Sequence, residues 1–268
     1  MQRKAAVAGS FYPASAAELR RTISRMILPK EHKEKAVAAI SPHAGYVYSG
    51  PVAGALFSVI EIPDLVVLLA PSHRPIRPTF ALMAEGEWET PLGALPIATD
   101  LAGRILASSK YVRDDPAAHL QEHSLEVQLP FLQFFRPEFS IVPISISYLA
   151  TFEQLEDLGL AVARAIRESR REALLIASTD MSHYISQEAA REKDFLAIQK
   201  VLDLDPKGLF DVVRREDISM CGFQPTSSVL VAAKDLGAKK AELIKYATSG
   251  DQTGDYREVV GYAGIRIR

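Results

Sequence analysis

A single cysteine, Cys221, in 268 residues leaves no partner for a disulfide within the chain and suits a reducing compartment. No apolar run approaches the roughly 20 residues of a membrane-spanning helix. The N-terminal stretch Met1-Gln-Arg-Lys-Ala-Ala-Val has no long apolar core of the signal-peptide kind. Neither sign of charge dominates: 31 Lys and Arg stand against 33 Asp and Glu, for a formal net charge of −2. The basic excess that neutralises nucleic-acid phosphates is therefore missing. Gly250-Asp-Gln-Thr-Gly254 lacks the Walker lysine and spacing, and reads as a connection between strands. There is no Gly-x-Ser-x-Gly elbow, which argues against a serine hydrolase of that type. We expect a cytoplasmic globular protein that binds neither nucleic acid nor membrane.

What is present is a chain that is 48% hydrophobic, enough for a large core, with strand and helix patterns in alternation. No Gly/Ser linker, charge block or internal repeat divides it. The expected fold is α/β, a single domain over residues 1–268 with a mostly parallel central sheet flanked by helices. Apolar runs at Ala36–Ile40, Leu65–Ala70, Ile141–Ile146 and Ala173–Ala177 read as buried strands, with Phe80–Ala84, Ala241–Ala247 and Val259–Ile267 as further ones. Helices are expected after the capping boxes Ser15-Ala-Ala-Glu18 and Thr151-Phe-Glu-Gln154, and over Asp100–Ser108, Gln187–Leu202, Pro206–Arg215 and Thr226–Leu236. Pro51 is placed to open a helix over Val52–Ile60, and Pro130 to interrupt one over Leu120–Phe135. Glu85–Gly93, with the only tryptophan, reads as a polar loop.

Strand ends are where open α/β sheets bind ligands, and here they carry histidine. Ser41-Pro-His-Ala-Gly-Tyr46 follows the first run, Pro71-Ser-His-Arg-Pro75 the second, and Ser178-Thr-Asp-Met-Ser-His-Tyr184 another. Neutral imidazole is the commonest metal ligand, and His43 and His73, each just past a strand, read together as a metal pair. Asp180 and His183 can ligate, act as a base or orient a ligand, while Asp180 can equally cap a helix. His123 lies between Glu122 and Glu126, which either hold an imidazole proton or form a solvated helix face. Cys221 precedes a helix start, where backbone dipoles favour thiolate; an inert buried thiol is the alternative. His32, in a charged turn, reads as surface, and His119 has no special context.

Taken in order, Ala-Gly-Ser-Phe-Tyr-Pro at 8–13, Ser-Pro-His-Ala-Gly-Tyr at 41–46, Pro-Ser-His at 71–73, Glu-His-Ser-Leu-Glu at 122–126, Ser-Thr-Asp-Met-Ser-His-Tyr at 178–184, Cys-Gly at 221–222 and Gly-Tyr-Ala-Gly at 261–264 resemble the Memo family over essentially the whole chain. The resemblance implies a fold like that of class III extradiol dioxygenases, which hold iron(II) with two histidines and a glutamate. It puts His43 and His73 at the ligand histidines, His183 at the assisting histidine, and Cys221 near the third ligand, where the dioxygenases have a carboxylate. A thiolate there shifts preference toward copper(I) or zinc. The implied cofactor is iron or copper, with zinc as a further option. Asp180, His183 and His123 would then handle protons around a small molecule or peptide in the metal cleft. The resemblance also brings phosphotyrosine-peptide binding in animals, and a radical-SAM protein and an AMMECR1-type protein as prokaryotic partners. Three functions follow: a metal-dependent redox enzyme, a binding protein using the same pocket, and a zinc-dependent hydrolase.

Overall fold

Unbroken apolar runs form strands buried on both faces, as expected where helices cover a sheet. In the computed structural model, which describes residues 1–29 and 33–268, the chain runs β1 (Gln2–Arg3), α1 (Ala16–Ser24), β2 (Ala38–Ser41), α2 (Tyr46–Ser58), β3 (Leu65–Pro71), β4 (Phe80–Leu82), β5 (Glu87–Thr90) and β6 (Gly93–Pro96). It continues through α3 (Thr99–Ser108), β7 (Val112–Asp114), α4 (Leu129–Phe135), β8 (Ser140–Ile146), α5 (Phe152–Ser169), β9 (Leu174–Ser178) and β10 (His183–Ile185). The last elements are α6 (Gln187–Leu202), α7 (Pro206–Arg215), α8 (Phe223–Asp235), β11 (Ala241–Thr248), α9 (Gly250–Thr253) and β12 (Val259–Ile267). His32 lies outside the described residues.

Strands β2, β9, β3 and β8 are neighbours in that order and all parallel. On one flank β12 runs antiparallel to β2, and β10 and β11 run antiparallel to β12. On the other, β4 is antiparallel to β8 and β7 is parallel to β4. The expected mostly parallel sheet is therefore parallel at its centre and mixed at its flanks. Strand direction depends on the length of the connection, and β11 and β12 need no crossover helix between them. Apolar runs alone do not reveal it. Helix α8 packs on β2, β3 and β9, with α5 against it, while α2 packs on β11 and β12.

The parallel centre positions the site. Ser41 and Ser178 are register partners at the ends of β2 and β9, and β3 lies on the other side of β9. The turns carrying His43, His73 and Asp180–His183 therefore leave from one edge.

Several local expectations changed. Helix α2 begins at Tyr46, so Pro51 lies inside it and removes a backbone donor there. The start is set instead by the Tyr46 N–H, which donates to the Phe11 carbonyl at 2.8 Å. Leu120–Gln128 is not helical apart from a 3-10 turn at Glu126–Gln128, and Pro130 sits in the first turn of α4, where its missing N–H is harmless. Trp88 is fully buried in β5, within a second sheet ordered β1-β5-β6, and is not in a polar loop. The Thr151 capping box forms, whereas Ser15 makes no side-chain cap bond. Residues Gly250–Thr253 form the short helix α9.

Candidate metal centre and its cavity

Three imidazoles converge at the edge of the sheet. His43 follows β2, His73 follows β3, and His123 comes from the irregular segment before α4. Ring centroids are 5.2 Å apart for His43 and His73, 5.5 Å for His43 and His123, and 4.5 Å for His73 and His123. One nitrogen of each lies within 4.8 Å of the other two, a grouping able to hold a metal ion.

The hydrogen bonds determine which nitrogen each ring offers. His43 Nδ1 lies 2.9 Å from Ser178 Oγ. That hydroxyl gives its only proton to the Ser124 carbonyl at 2.6 Å and accepts from Gln128 Nε2 at 2.8 Å. It must therefore accept from His43, which fixes the proton on Nδ1 and leaves Nε2 with a free lone pair. His73 Nδ1 lies 3.0 Å, and His123 Nδ1 3.4 Å, from the same oxygen, Glu122 Oε1. His183 Nδ1 lies 2.8 Å from the Ser219 carbonyl, an acceptor only. His43, His73 and His183 are thus held from behind at Nδ1, the arrangement that orients metal-binding histidines, while His123 Nδ1 lies near Glu122 as a charge neighbour.

Charge favours the neutral form at two of the three rings and opposes it at His73. Burial, followed by the neighbouring His73 and His123, keeps His43 well below its ordinary pKa and hence neutral. Burial also lowers His123. For His73, burial acts downward, but the hydrogen bond and charge of Glu122 outweigh it and the net direction is up. Burial alone would raise Glu122; its bond to His73 and the backbone N–H groups of Ser124 and His73 hold it below the usual carboxylate range. Asp180 accepts the His43 backbone N–H at 2.7 Å, yet burial pushes its carboxyl up to about 6.

Cys221 reaches the same place by another route. Its Sγ lies 3.3 Å from His43 Nε2 and accepts the Asp180 N–H at 3.2 Å. Gly222 permits this approach, since a Cβ there would meet the Ser178 carbonyl at 2.5 Å. The sulfur is not a member of the three-donor group. The thiolate expected beside a helix start is not favoured: burial, then the charge of Asp180, push the thiol well up, against the pull of nearby N–H and hydroxyl donors.

Sequence reasoning underrated Glu122 and Glu126. Neither belongs to a solvated helix face; both are almost fully buried. Glu122 accepts from the His73 ring and from the His123 backbone N–H. Glu126 pairs with Arg3 at 2.7 Å and accepts from Ala6 N, Val7 N and the Tyr12 hydroxyl. Arg3 also donates to the His119 and Glu122 carbonyls, both at 2.7 Å, and lies 4.0 Å over the Trp88 ring. His119 is thus part of a buried cluster, not a residue without context. The one available signal was the pair of acids flanking a histidine.

His43, His73, His123, Asp180 and His183 line a cavity of about 780 Å³, whose wall also includes Phe11, Tyr48, Tyr184 and Tyr262. Ser249 and Thr253, at the Gly250–Gly254 connection, border it too. No helix among the described residues is long and apolar enough to cross a membrane.

Comparison with known proteins is consistent along the chain. A family model described as "Memo-like protein" matches residues 3–266. A "MEMO1 family protein" of Pyrobaculum arsenaticum is 44% identical over 98% of both chains. One from Methanopyrus kandleri is 40% identical over 100% of this chain and 99% of its own, and one from Methanothermobacter thermautotrophicus 41% identical over 99% and 100%. Among solved structures, an uncharacterized protein from Escherichia coli K12 superposes with a TM-score of 0.57 at 14% identity, covering 85% of this chain and 99% of that one. That likeness concerns the fold alone.

Proposed function

This chain belongs to the Memo family, and on that footing we propose that it is a metal-dependent redox enzyme acting on a small organic molecule in the cavity. The observation that carries this is the convergence of the His43, His73 and His123 nitrogens, with His43 and His73 tied at Nδ1. Imidazole donors suit iron, copper, zinc and nickel. A bound ion would supply Lewis acidity and, as iron or copper, electron transfer. The residues around it have separate tasks. Glu122 aims His73 through its hydrogen bond and balances charge beside His123. His183, tied to the Ser219 carbonyl, presents Nε2 to the cavity as a proton acceptor. Asp180, titrating near neutrality at about 6, can hold or release a proton beside His43. Cys221, 3.3 Å from His43 Nε2, is the alternative third donor to His123.

Metal analysis of anaerobically purified protein tests this, followed by titration with iron(II), copper and zinc. His43→Ala and His73→Ala should lose most binding. Greater loss in His123→Ala than in Cys221→Ser selects the three-imidazole set; the reverse selects the thiolate. Turnover of catechols or thiols that requires dioxygen supports the redox reading. Cleavage of small amides with zinc alone would replace it by hydrolysis. Peptide binding indifferent to chelator, without turnover, would replace it by a binding function. Co-purification with radical-SAM and AMMECR1-type proteins tests the partners, and sequence likeness alone suggests the dioxygenase comparison.

A further inference from the structure

The cavity wall includes four histidines, the carboxylates of Asp180, Asp255 and Glu258, and the rings of Phe11, Tyr48, Tyr184 and Tyr262, but among the described residues no lysine or arginine. Apart from the histidines, an anionic ligand would find no cationic side chain among the described residues of these walls. A cation would find acids and the negative faces of aromatic rings. Asp255 is engaged by Arg257, which bonds both its oxygens and is not itself a lining residue. Among the described residues Glu258 has no ion-pair partner within 4.0 Å, although it lines the cavity and is exposed.

Three tyrosines, Tyr48, Tyr184 and Tyr262, line the cavity. Tyr184 has φ +58, an unfavourable backbone for a bulky residue. It sits where the pairing of β10 with β12 is irregular, between His183 and Ile185, and it is 74% exposed. Such irregularities re-aim side chains next to sites. Tyr262 is buried in the wall, and Tyr48, Tyr184 and Tyr262 all line the same cavity as Glu258.

We infer that the cavity selects an organic cation, a ligand with an ammonium head seated among Tyr48, Tyr184 and Tyr262 near Glu258 and an apolar or aromatic body directed toward the histidines. This rests on the reading of the cavity as the functional site, but not on which metal it holds. Phosphorylated or carboxylated ligands are disfavoured by the same walls.

Three probes of matched shape test it: 2-phenylethylamine, 2-phenylethanol and phenylacetate, titrated calorimetrically into the full chain after chelator treatment. The amine should bind at least about tenfold more tightly than either analogue, from cation–π attraction together with a partly exposed carboxylate. Glu258→Gln and Tyr184→Ala should each remove several-fold of that preference, and added salt should weaken it. Equal or tighter binding of phenylacetate or phenylethanol overturns the inference. So does failure of all three probes to bind, or a preference unchanged in both variants. Zinc titration of the same samples keeps the readings apart. Protein that prefers the amine but binds no metal defeats the metal proposal and leaves this one standing. Protein that binds zinc without preferring the amine does the reverse.

Discussion

Glu122 and Glu126 stand four positions apart in one short segment, both buried, yet they do opposite work. Glu126 faces Arg3, two backbone N–H groups and the Tyr12 hydroxyl, all within hydrogen-bonding range. Its cluster is closed. Glu122 is equally well supplied with donors, from the N–H groups of His73, His123 and Ser124, but two of its neighbours are imidazoles whose far nitrogens face a cavity. A buried charge whose partners are all satisfied fastens the chain. A buried charge whose partners still present lone pairs prepares a site. Arg3 links the two, because it donates to the carbonyls of His119 and Glu122 and pairs with Glu126.

The comparison is broken most directly at Glu126. Glu126→Ala should destabilise the protein by about 3–5 kcal/mol, because it strands a fully buried Arg3. Denaturant unfolding measures this. If stability is unchanged, the arm that includes Arg3 and Tyr12 does not hold the segment. At Glu122 the effect should fall on metal instead. Glu122→Gln can still accept a hydrogen bond, but should weaken metal binding roughly 10–100-fold, the usual cost of losing a partner behind a ligand. A competition titration with a chromophoric chelator reads it, and a large stability loss without weaker binding would make both glutamates structural.

Acid should expose the closed cluster next. Burial, then Arg3, lower His119 from its ordinary value of 6.5 to about 3. Below pH 6.5 the unfolded chain takes up a proton that the folded chain refuses until about pH 3. Stability therefore falls as pH drops through that window, by about 2 kcal/mol at pH 5 for this one group. His119→Gln should flatten that part of the stability profile; an unchanged slope between pH 6.5 and 5 would show that His119 does not titrate this way. The smallest effect lies away from both clusters, in helix caps. Thr151→Ala should cost about 1 kcal/mol, since its hydroxyl accepts from Gln154, while Ser15→Ala should cost almost nothing. Equal losses in thermal unfolding would show that the two caps contribute alike.

Both caps looked the same as strings, Ser15-Ala-Ala-Glu18 and Thr151-Phe-Glu-Gln154, and only one forms. That contrast marks how far local patterns reach. Apolar runs with turn residues after them placed β2, β3 and β9, and with them the ends where His43, His73 and His183 stand, because burial on both faces demands an unbroken apolar stretch. Motif order also sufficed to identify the family, since the match extends over residues 3–266. Tertiary structure decided the rest. His123 joins His43 and His73 because an irregular segment is held by Arg3, more than a hundred residues away in sequence, and irregular backbone has no period to read. The state of Cys221 was equally hidden. A helix start suggested thiolate, but burial and the charge of Asp180 raise the thiol, and both come from chain segments that meet only on folding.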